Sequence, residues 1–205
     1  MEEKYLKELS EIRTLMNRSS RFLSLSGLSG ILAGIYALAA AFMAFRIIYS
    51  GMDANEWGMP VELSTGQLAE LLILGSLTMA VALATGILLS MRKARENGEN
   101  FWDASSRRLA INFFIPLATG GIFCLILIER RLVSLVAPLT LIFYGLACVH
   151  ASKYTIGGVR YLGLTMIVLG LIATYFVGFG LFFWAFGFGI CHIIYGSLMF
   201  FKYEK

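Results

Sequence analysis

The sequence predicts an all-α membrane protein with six transmembrane helices arranged as three helical hairpins. Of its 205 residues, 58% are apolar and only 15% are charged. Soluble domains usually contain about 45–50% apolar and about 25% charged residues, so the excess apolar side chains must face lipid. The apolar residues also fall into long charge-free runs, and Lys and Arg concentrate in alternate loops. This composition excludes disordered, fibrous, disulfide-stapled and ordinary cytosolic proteins.

Each predicted span satisfies the length that a bilayer imposes. A hydrocarbon core of about 30 Å requires roughly 20 apolar residues per helix. The last charge-free run, 161–201, would reach about 60 Å as one helix and must fold back. Gly178 and Gly180 predict this reversal, because glycine permits the backbone angles of a tight turn. The predicted spans are 22–45, 68–91, 109–128, 132–150, 161–177 and 181–201.

The segments outside the spans carry local signals. Residues 1–21 are predicted to form a cytoplasmic amphipathic helix that either docks on a partner or lies on the lipid headgroups. Its apolar residues recur at helical spacing: Tyr5, Leu9, Ile12 and Met16. Ser64 and Gln67 fit a capping box that starts the second span. Residues 202–205 form a short cytoplasmic tail.

The distribution of basic residues predicts the orientation. Fourteen of the 17 Lys and Arg residues lie on one side of the predicted membrane, and three lie on the other. Because cytoplasmic loops carry an excess of Lys and Arg, both termini are predicted to be cytoplasmic, in a bacterial-type plasma membrane. The net charge of +4 then reflects topology and attraction to anionic headgroups, without nucleic-acid binding. The residues expected at headgroups are Arg18, Arg21, Arg92, Lys93, Arg95, Trp102, Arg107, Arg108 and Arg160.

The odd-numbered spans begin alike, which predicts that three hairpins descend from one unit. An arginine precedes each of these spans, and an aromatic residue follows each arginine 15 positions later. The arginines are Arg21, Arg108 and Arg160, and the aromatic residues are Tyr36, Phe123 and Tyr175. The alternative is coincidence, since small residues and arginine often precede a span and 14% of the chain is aromatic.

The predicted spans contain few groups that could carry chemistry. None has a charged residue in its interior, whereas ion and proton paths in membranes usually use such a residue. His192 is expected to lie roughly 13 Å deeper than His150, so one metal or haem bound to both is not predicted. The three cysteines also lie inside spans without metal-site spacing. We therefore expect neither a metal nor a cofactor.

One short motif points to a specific chemistry. Gly27-Leu28-Ser29-Gly30 resembles the Gly-x-Ser-Gly motif of rhomboid intramembrane proteases, which are six-helix proteins with a histidine in the last span. The resemblance implies a serine hydrolase with Ser29 as nucleophile and His192 as its partner. It covers four residues, and the serine stands in the first span instead of the fourth. Small residues that recur every four positions favour a close helix-packing face instead. These residues are Ser26, Gly30 and Gly34.

Three functional hypotheses follow. The first is a non-catalytic integral membrane protein that acts as scaffold, sensor or accessory subunit through helix–helix contacts. A protein partner or a second copy would bind through the first span or the N-terminal helix. The second is a small permease or channel for neutral or lipid-like solutes, for which Pro116 and Pro138 would provide kinks. The third is a membrane-embedded enzyme, either a hydrolase with Ser29 and His192 or a haem or metal protein.

Overall fold

The computed structural model describes residues 25–50, 62–98, 100–155 and 157–203. All regular secondary structure in these ranges is helical. Six of the described helices are long and apolar enough to cross a membrane. The prediction of six helices that are long and apolar enough to span a membrane is therefore confirmed. The predicted amphipathic helix at 1–21 lies outside the described residues.

The first three helices are α1 (Gly27–Ile48), α2 (Thr65–Glu96) and α3 (Ala104–Glu129). Helix α1 begins after the N-cap residue Ser26, five residues later than the predicted start at 22. The capping box predicted for α2 is confirmed: the Ser64 hydroxyl accepts from the Gln67 backbone N–H, and the Gln67 side chain accepts in return. Asp103 and Ser106 form an equivalent box at the start of α3. These caps let α2 and α3 begin before their apolar runs.

The last three helices contain irregular segments. Helix α4 (Val136–Ala151) is flanked by 3₁₀ turns at Val133–Leu135 and Ser152–Tyr154. Helix α5 spans Gly158–Tyr175. Helix α6 consists of Gly180–Trp184, a π-helical segment at Ala185–Cys191, and His192–Tyr203. The long charge-free run divides between α5 and α6, where Gly178 adopts a φ of 94°.

The helices pack in an order that differs from their order in the chain. Helix α1 contacts both α2 and α6, whereas α4 contacts both α3 and α5. The most extensive contacts join α4 to α5 and α1 to α6, and α6 also touches α4 and α5. Helices α2 and α3 are peripheral: α2 packs mainly against α1, and α3 mainly against α4. Helices α5 and α6 contact each other less than α5 contacts α4, and the hairpin repeat stays a prediction.

Glycines allow the closest helix contacts. A Cβ placed on Gly34 of α1 would lie 2.7 Å from the carbonyl oxygen of Gly189 in α6. A Cβ on Gly145 of α4 would lie 2.6 Å from the carbonyl oxygen of Gly163 in α5. Real side chains do not tolerate such distances, so both interfaces depend on small residues that let the backbones meet.

Helix α2 is hydrogen-bonded near one end to α1 and near the other end to the segment that directly precedes α1. Near the start of α2, the Gln67 side-chain nitrogen donates to the Ile47 carbonyl at 2.9 Å. Near its end, the Lys93 ammonium donates to the Leu25 carbonyl at 2.9 Å. These bonds fix the position of α2, although none of the residues in its central membrane window is buried.

Candidate functional site

Polar side chains from two helices meet beside the buried core of α4, α5 and α6. This core contains Leu141, Leu162 and Met166. Tyr144 packs against the core and lies one turn after Leu141, on the same side of α4. His192 of α6 is buried, with 6% of its surface exposed. We call Tyr144 and His192 the tyrosine–histidine pair.

Hydrogen bonds engage both ring nitrogens of His192. The Tyr144 hydroxyl lies 2.7 Å from Nε2, and the Gly187 carbonyl oxygen lies 3.2 Å from Nδ1. A carbonyl oxygen can only accept a hydrogen bond, so Nδ1 carries the proton in the neutral ring. Nε2 then accepts from the Tyr144 hydroxyl. The tyrosine–histidine pair therefore joins α4 to α6 by a hydrogen bond from the Tyr144 hydroxyl to the neutral imidazole.

The π-helical segment of α6 determines the environment of His192. It ends at Cys191, immediately before His192, and it contains the Gly187 carbonyl that accepts from the imidazole. Gly187 also packs closely, because a Cβ there would lie 2.5 Å from the Leu141 side chain, which would have to shift. π-Helical turns are rare and often occur at functional sites, which singles out this part of α6.

Aromatic rings surround the tyrosine–histidine pair. Phe188 stacks on His192 with an angle of 17° between the rings, and its ring centre lies 5.0 Å from that of Tyr144. Phe113 of α3 meets Tyr144 edge-on at 5.8 Å. Trp184 lies 5.0 Å from Phe188. Such offset and edge-on contacts are favourable and hold the pair between α3, α4 and α6.

The side chains at this site can support few kinds of chemistry. In the described parts of the chain, no group of three or more His, Cys, Asp or Glu side chains is arranged to hold a metal ion. A metal at His192 Nε2 would have to displace the Tyr144 hydroxyl. The Tyr144 hydroxyl also interacts with the Cys148 side chain of the same helix. The pair can therefore fix two helices together.

The structure does not join the two residues of the hydrolase hypothesis. The Ser29 hydroxyl donates to the Ser26 carbonyl of its own chain segment at 2.6 Å. His192 is engaged by Tyr144 and Gly187. A serine nucleophile needs a hydrogen bond to its base, and neither side chain makes that bond here.

The predicted packing residues and headgroup residues lie apart from the tyrosine–histidine pair. Gly30 and Gly34 face the backbone of α6 in the same chain, and Ser26 is buried at the start of α1. Lys93 is bound to the Leu25 carbonyl. Arg18 and Arg21 lie outside the described residues. The other predicted headgroup residues are exposed: Arg92, Arg95, Trp102, Arg107, Arg108 and Arg160.

Sequence reasoning placed His192 inside a span but missed its partner Tyr144. The available signal was that both are long polar side chains within charge-free runs, and such groups are rarely left without partners in a membrane. No protein-family model, curated protein or solved structure matches this chain.

Proposed function

We propose that the protein is a non-catalytic integral membrane protein that acts as a scaffold, sensor or accessory subunit. The supporting observation is that several of the described hydroxyl groups within the spans bond to the protein's own backbone. Thr78, Thr119 and Thr165 each donate to the carbonyl four residues earlier in the same helix. Such bonds satisfy a polar side chain without a ligand.

This pattern disfavours chemistry and ion passage. A transported ion or a reacting group needs polar side chains aimed at it. In the described spans, the tyrosine–histidine pair bonds internally, and the two helix pairs α1–α6 and α4–α5 pack backbone against backbone. A bundle of this kind is suited to holding its own shape and presenting helices to other molecules.

We also infer the membrane in which the protein lies and its orientation there. The protein crosses a bacterial-type plasma membrane six times as three hairpins, with both termini in the cytoplasm. The asymmetry of Lys and Arg supports this orientation. Arg130 and Arg131, between α3 and α4, would then face the exterior.

The partner contact is assigned to the N-terminal segment 1–21. Span one cannot offer its small-residue face, because Gly30 and Gly34 already contact α6. The helix predicted for residues 1–21 would have an apolar stripe with charged residues on its other faces, which suits a contact with a helix of another protein.

The test is recovery of the partner from chemically crosslinked native membranes. The full chain should recover one protein in stoichiometric amount, and Leu9→Asn/Ile12→Asn should lose it. Glu3→Asn/Lys7→Asn, on other faces of the same segment, is the matched control and should retain it. Absence of a stoichiometric protein, or equal recovery with all three chains, would contradict the proposal.

A second candidate, a permease for neutral or lipid-like solutes, is favoured by the proline inside α3. Pro116 lies within this helix, where proline removes a backbone hydrogen bond, and Phe113 of the same helix contacts Tyr144. The kink expected at Pro138 is wrong, because Pro138 lies in the first turn of α4, where proline is tolerated. Proteoliposome uptake separates the candidates. Saturable uptake of a neutral solute that Tyr144→Phe reduces would support the permease and contradict the non-catalytic role.

A further inference from the structure

The C-terminal end of α2 has an exposed face on which basic side chains follow apolar ones. It is lined by Leu88, Met91, Arg92, Arg95 and Glu96. Residues three and four apart share one face of a helix, so these five side chains form a continuous strip. Leu88 and Met91 form its apolar part, and its basic part begins at Arg92, where the apolar run of α2 ends.

The apolar strip continues along the same exposed face towards the middle of the membrane. Leu77, Val81 and Leu88 are all exposed on it, together with Ala84. From Leu77 to Leu88 the strip is about 16 Å long at the rise of an α-helix. This length accommodates most of one phospholipid acyl chain in a bilayer leaflet of about 15 Å.

The basic part of the strip has an excess of positive charge. Arg92 forms an exposed ion pair with Glu96, with Nε 2.8 Å from the carboxylate oxygen. Arg95 forms no ion pair with any residue that the structure describes. Exposed ion pairs of this kind are weak, so a phosphate can replace the carboxylate at Arg92. Arginine also suits phosphate because its donors form a planar fork.

We infer that this strip binds one anionic phospholipid, with its phosphate between Arg92 and Arg95 and an acyl chain along Leu88. Charge complementarity and the order of apolar and basic side chains along the face select this occupant. The Glu96 carboxylate competes with the lipid phosphate for Arg92. The inference concerns lipid bound to the purified chain, and it does not depend on the partner proposed above.

Native mass spectrometry of the full chain in detergent tests the inference, with phosphatidylglycerol and phosphatidylcholine of equal acyl length as probes. We expect one phosphatidylglycerol to be retained in preference to phosphatidylcholine. Arg95→Gln should weaken its binding about fivefold, the effect of one basic residue at an anionic surface. Glu96→Gln should strengthen binding, because it removes the competing carboxylate.

Lys153→Gln is the matched control, since Lys153 is another exposed basic residue on the side predicted to be cytoplasmic and is not among the residues expected at headgroups. It should leave retention of phosphatidylglycerol unchanged. Equal retention of both lipids, equal losses in Arg95→Gln and Lys153→Gln, or weaker binding in Glu96→Gln would overturn the inference. The opposite effects expected for Arg95→Gln and Glu96→Gln also separate lipid binding from a general loss of folding.

Discussion

The Tyr144 hydroxyl and His192 Nε2 join α4 to α6 through a single short hydrogen bond. The phenol donates, and the imidazole is held in position by its other nitrogen on the Gly187 carbonyl. Loss of either partner leaves a polar atom in an apolar setting, where an unmade bond is costly. The pair should therefore matter more to stability than an exposed polar side chain does.

Tyr144→Phe tests this role because it keeps the ring and removes only the donor. The free energy of unfolding in detergent, measured by denaturant titration, should fall by about 1–2 kcal/mol. Tyr161→Phe is the control, since Tyr161 is largely exposed on α5, and it should have little effect. In a His192→Leu background, Tyr144→Phe should cost less. Equal costs in both backgrounds would show that the two side chains are not coupled.

The pairing itself could not be predicted from local sequence. Tyr144 and His192 are 48 residues apart, and the α-helical period does not hold through the π-helical segment before His192. The sequence places His192 within a charge-free span, but it does not indicate which side chain bonds to it. Its partner depends on how three helices meet, which a single sequence does not specify.

At the scale of helices, glycine determines which pairs approach most closely. Gly34 faces the Gly189 carbonyl of α6, whereas a Cβ on Gly75 of α2 would meet no atom within 4 Å. Both glycines lie in apolar helices, but Gly34 packs against another helix and Gly75 does not. They form a matched pair for testing the α1–α6 interface.

Gly34→Ala should lower the thermal stability of the detergent-solubilised protein, because its Cβ would collide with backbone that cannot move away. A cost of about 1–3 kcal/mol is expected for such overpacking. Gly75→Ala should leave stability unchanged or raise it by up to about 1 kcal/mol, through better helix propensity. Equal effects of the two substitutions would contradict the close α1–α6 contact.

The start of α2 combines a cap with a tertiary contact. Among the described residues, the Ser64 side chain bonds within the capping box, whereas Gln67 also donates to the Ile47 carbonyl of α1. Ser64→Ala should cost about 1 kcal/mol, and Gln67→Ala should cost more because it also releases α1. Hydrogen exchange at the first turn of α2 measures both effects. Faster exchange in Ser64→Ala than in Gln67→Ala would be inconsistent with the link to Ile47.

Features that depend on a local sequence pattern could be predicted, whereas the packing of the helices against each other could not. The Ser64–Gln67 box follows a known spacing and was predicted, whereas the Asp103–Ser106 box uses serine at the third position and was not. The small residues of α1 indicated a packing face, but not that α6 would cover it. The contact between α1 and α6 depends on Gly189 and Gly196 of α6, which lie opposite the glycines of α1.

At the scale of the molecule, α2 and α3 lie at the periphery of the described helices. The number of spans could be predicted because apolar length is a property of the sequence. Which helices pack against each other could not be predicted. Every span is apolar, so the burial of apolar surface does not favour one pair of helices over another. The orientation is supported by the distribution of basic residues alone.

Cysteine accessibility in intact cells tests the proposed topology most directly, in a chain whose three native cysteines are replaced by alanine. Glu3→Cys and Lys202→Cys probe the two ends, and Glu62→Cys probes the segment before α2. A membrane-impermeant maleimide should label Glu62→Cys in intact cells, and the other two only after the membrane is permeabilised. Labelling of Glu3→Cys or Lys202→Cys in intact cells would contradict six crossings with both termini in the cytoplasm.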